Sequence, residues 1–362
     1  MSNLIYLSDI CDFQGGTQPP KEQWSTSLKD GYVRMLQIRD FTQSEKAEPE
    51  YVKYSTNLKM CKSDDVLIAR YGASLGKILT GLSGAYNVAI MKTIPNENKI
   101  TKSYLYYFLL SDSFQNMIKS VGSRAAQAGF NKEDLSLIKL KCPSIEKQEE
   151  KCIILNHVYN LIDKRKRQIL LLDKLVKSRF IEMFGDPILN QKGFPCFKIG
   201  EIIEFQGGSQ PDKKFFEYEP SEDNIRLIQI RDYKSDNYIT YIPKSMAKRF
   251  CSIDDIMIGR YGPPIFQILG GLKGAFNVAL MKAIPKAGNR EFIRYFLKQE
   301  CLLKYLEGLS KRTAGQDGIQ MDKLKAYPFP FPPIELQNEF ADFVKQTDKS
   351  KFGIQKSLNY LL

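Results

Sequence analysis

The chain has 362 residues, enough for two domains that each bury a core of their own. Its 43% hydrophobic, 26% charged and 12% aromatic residues are the make-up of an ordinary globular protein and exclude disordered and fibrous classes. Lysine and arginine total 53 against 41 acidic residues, a formal net charge of +12 that favours a polyanionic partner, although charge alone does not separate this from a merely basic protein.

The first residues, MSNLIYLSDI, lack a basic start followed by an apolar run, and no stretch nears 18 apolar residues. A cytoplasmic protein with no membrane partner is expected. The seven cysteines are odd in number and never spaced CxxC, so they are expected to be reduced and structural.

The stretch DFQGGTQPP (12–20) returns as EFQGGSQPD (204–212), and RMLQIRD (34–40) as RLIQIRD (226–232). In the same order, DDVLIARYG (64–72) is matched by DDIMIGRYG (254–262), and GAYNVAIMKTIP (84–95) by GAFNVALMKAIP (274–285) with nine of twelve positions identical. CPSIEKQ (142–148) then corresponds to PPIELQ (332–337). The chain is one unit written twice.

Each unit begins with short β-type runs such as VLIAR and NVAIMKTI, glycine turns, and a helical stretch around Tyr104 to Lys119, the pattern of a compact mixed α/β domain. Each then passes into a long helix. The expected division is a domain over 1–145, a helix over 146–187, a second domain over 188–334 and a closing helix over 335–362.

Leu155, Ile162, Ile169 and Val176 recur at sevens, which makes a seam for another helix. Val344, Ile354, Leu358 and Leu361 fit the same frame in the second copy, with Thr347 and Lys351 interrupting it. KRKR (164–167) fills other faces. From Glu146 to Phe184 the helix would span roughly 58 Å before glycine and proline of FGDP end it. Antiparallel pairing of the two helices would place one domain at each end of a rod.

Signatures of chemistry are missing. GASLGK (72–77) is one residue short of a phosphate loop and has no hydroxyl residue after its lysine, and its counterpart GPPIFQ loses the lysine and the second glycine. FQGG is not a dinucleotide fingerprint, and its glycines fit turns. The one histidine, His157, and the unpaired cysteines make no zinc site, so no metal and no catalytic residue is assigned. Asp64–Asp65 and Asp254–Asp255 read as turn caps rather than hydrolytic pairs.

Text kept by both copies marks scaffold or a shared task, and text that differs marks where the halves meet different things. The differing stretches are 19–33 against 211–225, 41–63 against 233–253, 73–80 against 263–270 and 111–128 against 299–317. SRAAQ (123–127) and KRTAGQ (311–316) supply Arg124, Gln127, Arg312 and Gln316, side chains suited to guanine and adenine edges. Lys21 and Lys213, with other lysines of these loops, suit phosphates. Thr17, Gln18, Ser209 and Gln210 follow the glycines and can touch the same ligand, as can Ser74, Lys77 and Gln267. Arg70-Tyr71 and Arg260-Tyr261 are shared, each arginine a phosphate anchor or an internal salt-bridge partner.

These blocks, together with LLDKLVKSRFIEMFGDP (171–187), resemble the specificity subunits of type I restriction-modification systems over essentially the whole chain. The resemblance implies two target recognition domains joined by two long antiparallel, coiled-coil-like helices, each domain reading one half of a bipartite, asymmetric site in double-stranded DNA. It implies a non-catalytic subunit that binds no cofactor itself. Its partners would be two methyltransferase subunits using S-adenosylmethionine, and restriction subunits using ATP and Mg. The second helix stops at Leu362, level with Asp173 of the first, so the contacts of the first helix end are expected to lack a mirror image. Two other readings remain: the recognition part of a type II-like methylase or nuclease, and a two-headed scaffold that binds no DNA.

Overall fold

The computed structural model describes residues 4–43, 46–122, 129–262, 264–310 and 318–361. The chain forms two compact units, one running to Asp163 and the other from Lys164.

The first unit is layered. A four-stranded antiparallel sheet runs in the order Cys11–Gly15, Ile90–Pro95, Leu67–Ala69, Ile78–Leu79. The period-two alternation of VLIA splits its side chains between two cores. Val66 and Ile68 pack with Leu105, Leu109, Phe114 and Ile118 of the helices, whereas Leu67 and Ala69 pack with Leu36 and Tyr86 of a second sheet. That second, five-stranded sheet contains one parallel pairing, Tyr32–Leu36 with Gly84–Tyr86.

The second unit repeats this plan. Its first sheet runs Ile203–Gly207, Leu280–Pro285, Ile256–Gly259, Gln267–Leu269, and its second pairs Asn224–Ile228 in parallel with Gly274–Phe276. Ile256 and Ile258 join the helical core while Met257 joins the core that Phe276 shares, the same alternation.

The helical stretch expected around Tyr104 to Lys119 is two helices, Lys102–Leu110 and Asp112–Gly122. Ser111 breaks it: the residue is extended, and its hydroxyl donates to Phe108 O at 2.6 Å. A serine that satisfies itself locally competes with the helical ladder.

One uninterrupted helix, Ile145–Phe184, spans the boundary of the two units. It ends at Gly185, whose φ of +75° suits glycine, and Asp186 Oδ1 then accepts from Ile188 N at 2.7 Å. The closing helix is Ile334–Asn359. Within the second unit the two run antiparallel, because Arg179 meets Glu339 at 2.8 Å and Asp173 meets Lys351 at 2.6 Å. Val176, Phe180, Phe184, Phe340 and Val344 fill the seam, with Phe180 and Phe340 ring centres 5.4 Å apart.

Of the seam residues named from the heptad, Ile162, Val176, Val344 and Leu358 are buried, and Leu155, Ile169, Ile354 and Leu361 are half-buried. The expected interruption at Thr347 is absent: the residue is buried, its hydroxyl donating to Phe343 O at 2.9 Å. Lys351 lies beside the seam, its ammonium on Asp173.

Candidate nucleic-acid interface

Each FQGG motif ends the first strand of its sheet. Beyond it, Gly16 N donates to Ile90 O at 3.1 Å and Thr17 N to Tyr86 O at 3.0 Å, and Gly208 and Ser209 repeat both bonds to Leu280 O and Phe276 O. A Cβ on Gly16 would lie 2.1 Å from Asn87 O, and one on Gly208 1.9 Å from Asn277 O. The second glycine is therefore needed for close approach of two backbones. This corrects the turn reading, since none of the four motif glycines has a positive φ. The opposing loop is fixed by Asn87, whose Oδ1 accepts from Ala89 N at 3.2 Å, as Asn277 Oδ1 does from Ala279 N.

Beside that loop sits the RYG strand end. Arg70 Nε donates to Phe130 O at 3.2 Å, its Nη1 to Val88 O at 3.4 Å, and its guanidinium lies 5.0 Å from the Tyr71 ring centre. Arg260 repeats the second bond to Val278 O at 3.4 Å and stacks 5.4 Å from Tyr261. Tyr71 bridges to Gly129 and Tyr261 to Gly318, at matching places in the two copies. Tyr71, Val88, Tyr261 and Val278 are all exposed, which gives each unit the same arginine, tyrosine and valine surface.

The other cations common to both copies behave differently. Lys92 meets Asp65 at 2.6 Å and Lys282 meets Asp255 at 3.3 Å. Burial would raise both carboxyls, but the Lys62 and Ser252 amides and the lysines hold them below the usual carboxylate range. Arg34 meets Asp40 at 3.1 Å and Arg226 meets Asp236 at 2.7 Å; Arg39 pairs with Glu50, and Arg231 lies 3.9 Å from Asp232. Arg70 and Arg260 have no carboxylate partner among the described residues, so nothing described there supports their reading as internal salt-bridge partners. Among those residues their positive charge is uncompensated.

The remaining residues singled out from sequence are scattered around this frame. Gln18, Gln210, Lys21 and Lys213 are exposed on the turn after FQGG, and Ser209 is half-buried there. The Thr17 hydroxyl is buried without a hydrogen-bond partner, so it is not presented to a ligand. Ser74 closes the short turn Gly72–Ser74, Lys77 is exposed beyond it, and Gln267 Nε2 is spent on Pro264 O at 2.9 Å. Arg124, Gln127, Arg312 and Gln316 lie outside the described residues. No group of three or more His, Cys, Asp or Glu is placed to hold a metal ion among the described residues.

Sequence reasoning gave no role to two residues of the PxIExQ lead-in. Gln148 is fully buried, its Oε1 accepting from Thr101 N at 2.9 Å and its Nε2 donating to Lys99 O and Pro143 O at 2.8 and 2.9 Å. Gln337 does the same with Asn289 N and Pro332 O, both at 2.7 Å. Each glutamine pins a helix start to its own domain. The recurrence of the residue in both lead-ins was the available signal.

The family model for the type I restriction modification DNA specificity domain matches residues 3–171 and again 191–361. The chain belongs to the type I restriction-modification DNA specificity family. Among curated proteins it is similar to the type I restriction enzyme MjaVIII specificity subunit of Methanocaldococcus jannaschii, 24% identical over 338 residues that cover 83% of this chain and 76% of that one. It is also similar to the putative MjaX specificity subunit of the same organism, 26% identical over 279 residues, 70% of this chain and 63% of the relative. Among solved structures, the S subunit of a type I restriction-modification system from M. genitalium shares the fold, with a TM-score of 0.59 at 15% identity over 99% of this chain and 92% of that chain. The specificity family thus accounts for both copies and for the helices after them. No described helix is long and apolar enough to cross a membrane.

Proposed function

We propose that this chain is the DNA-reading subunit of a type I restriction-modification assembly, in which each domain reads one half of a bipartite, asymmetric site. The observation that carries this reading is one strand-end frame built twice, with the sequence divergence gathered between the shared blocks that build it. Phosphate contacts position a protein on DNA and base contacts specify, so different loops on equal frames yield two different half-sites.

The chain supplies no catalytic group of its own in this reading. Methylation belongs to two modification subunits that bring S-adenosylmethionine, and cleavage to restriction subunits that bring ATP and Mg, all in the cytoplasm. The long helix offers them a docking face. Leu170, Leu171, Leu175 and Ile181 are exposed on it, away from Val176 and Phe180, which face the closing helix. Apolar residues on both faces of a helix call for a partner on each.

The test is to replace residues 1–145 with the matching domain of a relative of different specificity and to map the methylated positions left by the assembled complex. One half-site is expected to change while the other stays. A hybrid that still methylates both original half-sites sinks the reading.

A further inference from the structure

We infer that Arg70 and Arg260 form a paired, sequence-blind clamp on the DNA backbone, separate from the residues that read bases. The inference rests on the DNA-reading function proposed above. A side chain that takes the same pose on the same frame in both domains makes the same contact at both half-sites. Where the half-sites differ in sequence, a contact common to both carries no base information; it contributes affinity and register.

The geometry fits a phosphate. Each guanidinium is tethered through Nη1 to a carbonyl of the turn after Asn87 or Asn277, and each lies against the following tyrosine. The fork is thus pre-organised, which lowers the entropy lost when it binds an anion. Neither charge is neutralised by a carboxylate among the described residues, although Arg34, Arg39 and Lys92 and their counterparts all are. In the first copy a Cβ on Gly15 would stand 3.5 Å from Arg70 Nη1, an ordinary contact, and Gly207 of the second copy has nothing within 4 Å. Exposed Tyr71 and Val88, with Tyr261 and Val278, supply an aromatic and apolar border of the kind that packs on sugar and backbone.

A strut is the competing role, because Arg70 Nε also holds Phe130 O. The copies separate the two roles. The described hydrogen bonds give Arg260 the turn carbonyl and not this second strut, so the shared part of the pose is the tethered, unpaired charge.

The experiment compares the assembled complex carrying wild-type chain, Arg70→Gln with Arg260→Gln, and Arg70→Lys with Arg260→Lys. It records the dependence of DNA affinity on salt, the methylated sequence, and thermal stability. The glutamine pair is expected to flatten the slope of log K against log salt by about 0.9 for each arginine, to leave the methylated sequence unchanged, and to be rescued in slope by the lysine pair. A change in the methylated base at either half-site makes these residues readers and overturns the clamp. An unchanged slope, with or without a loss of thermal stability, makes them struts and overturns it as well. If wild-type complex shows no preferred sequence at all, the failure lies with the proposed function and not with the clamp.

Discussion

The two domains share their joints and differ in what hangs from them. Gly16 and Gly208 close the same backbone approach, Lys92–Asp65 and Lys282–Asp255 tie the same strands, and Gln148 and Gln337 hold the same helix starts. Elsewhere the copies part. Tyr86 donates to Gln14 Oε1 at 3.0 Å where the second copy has Phe276, and Lys102 bridges Asp64 and Asp65 where the second copy has Arg290 and Arg294 bonded to Asp254 O. The first domain also pairs an edge strand, Trp24–Ser25, on Glu50–Lys53, where the second copy has the single bridge of Glu217 to Tyr241. What survives duplication is whatever positions a strand end or a helix start, and the surrounding polar network is free to be rebuilt.

The seating of the long helix offers the largest test of this contrast. In the second unit it is held by an aromatic cluster, with Phe180 stacked on Phe292 and edge-on to Phe340, whereas in the first unit Tyr159 packs beside Tyr107 and Cys152 is buried. Phe180→Ala is expected to cost about 3–5 kcal/mol, seen as a lowered unfolding midpoint, with hydrogen exchange accelerated in the second unit. Equal acceleration in the first unit would dissolve the distinction between the two seats. Gln148→Ala comes next, at about 1–3 kcal/mol, because it strands the Thr101 amide and the Lys99 carbonyl beneath the helix start. Gln337→Ala should match it, and a tenfold difference in the two unfolding equilibria would show that the two joints are not equivalent.

Much of this was legible in the sequence, and the limits have physical causes. The duplication, the long helix and its stop at FGDP follow from identity, apolar spacing and helix-breaking residues. The turn reading of FQGG missed because glycine serves both positive φ and close approach, and only the partner backbone, Asn87 with Tyr86, tells the two apart. Thr347 looked like an interruption because a hydroxyl side chain reads as polar, yet it satisfies itself on Phe343 O and packs inside. Arg70 left two alternatives open in the sequence, because whether a carboxylate stands beside it is a property of three-dimensional neighbours and leaves no mark on spacing.

The smallest effect sharpens the comparison most directly. Tyr86 is fully buried, and its hydroxyl donates to Gln14 within FQGG; Tyr86→Phe converts this pair to the second copy's chemistry. Gln14 is only half-buried, so water can replace the lost bond, and the cost is expected to be about 0.5–1.5 kcal/mol by chemical denaturation. The reverse change, Phe276→Tyr, inserts an oxygen into a site that is fully buried and built without one, and should cost about 1–3 kcal/mol unless Gln206 turns to accept from it. If the forward change proves the costlier, Gln14 is fixed by this bond and the first domain needs its FQGG strand more rigid than the second does. If the reverse is costlier, the hydroxyl is a local embellishment on a frame that both domains hold by backbone alone. The close approaches at Gly16 and Gly208 argue for the second outcome, since they lock the strand end through main-chain contacts that neither substitution touches.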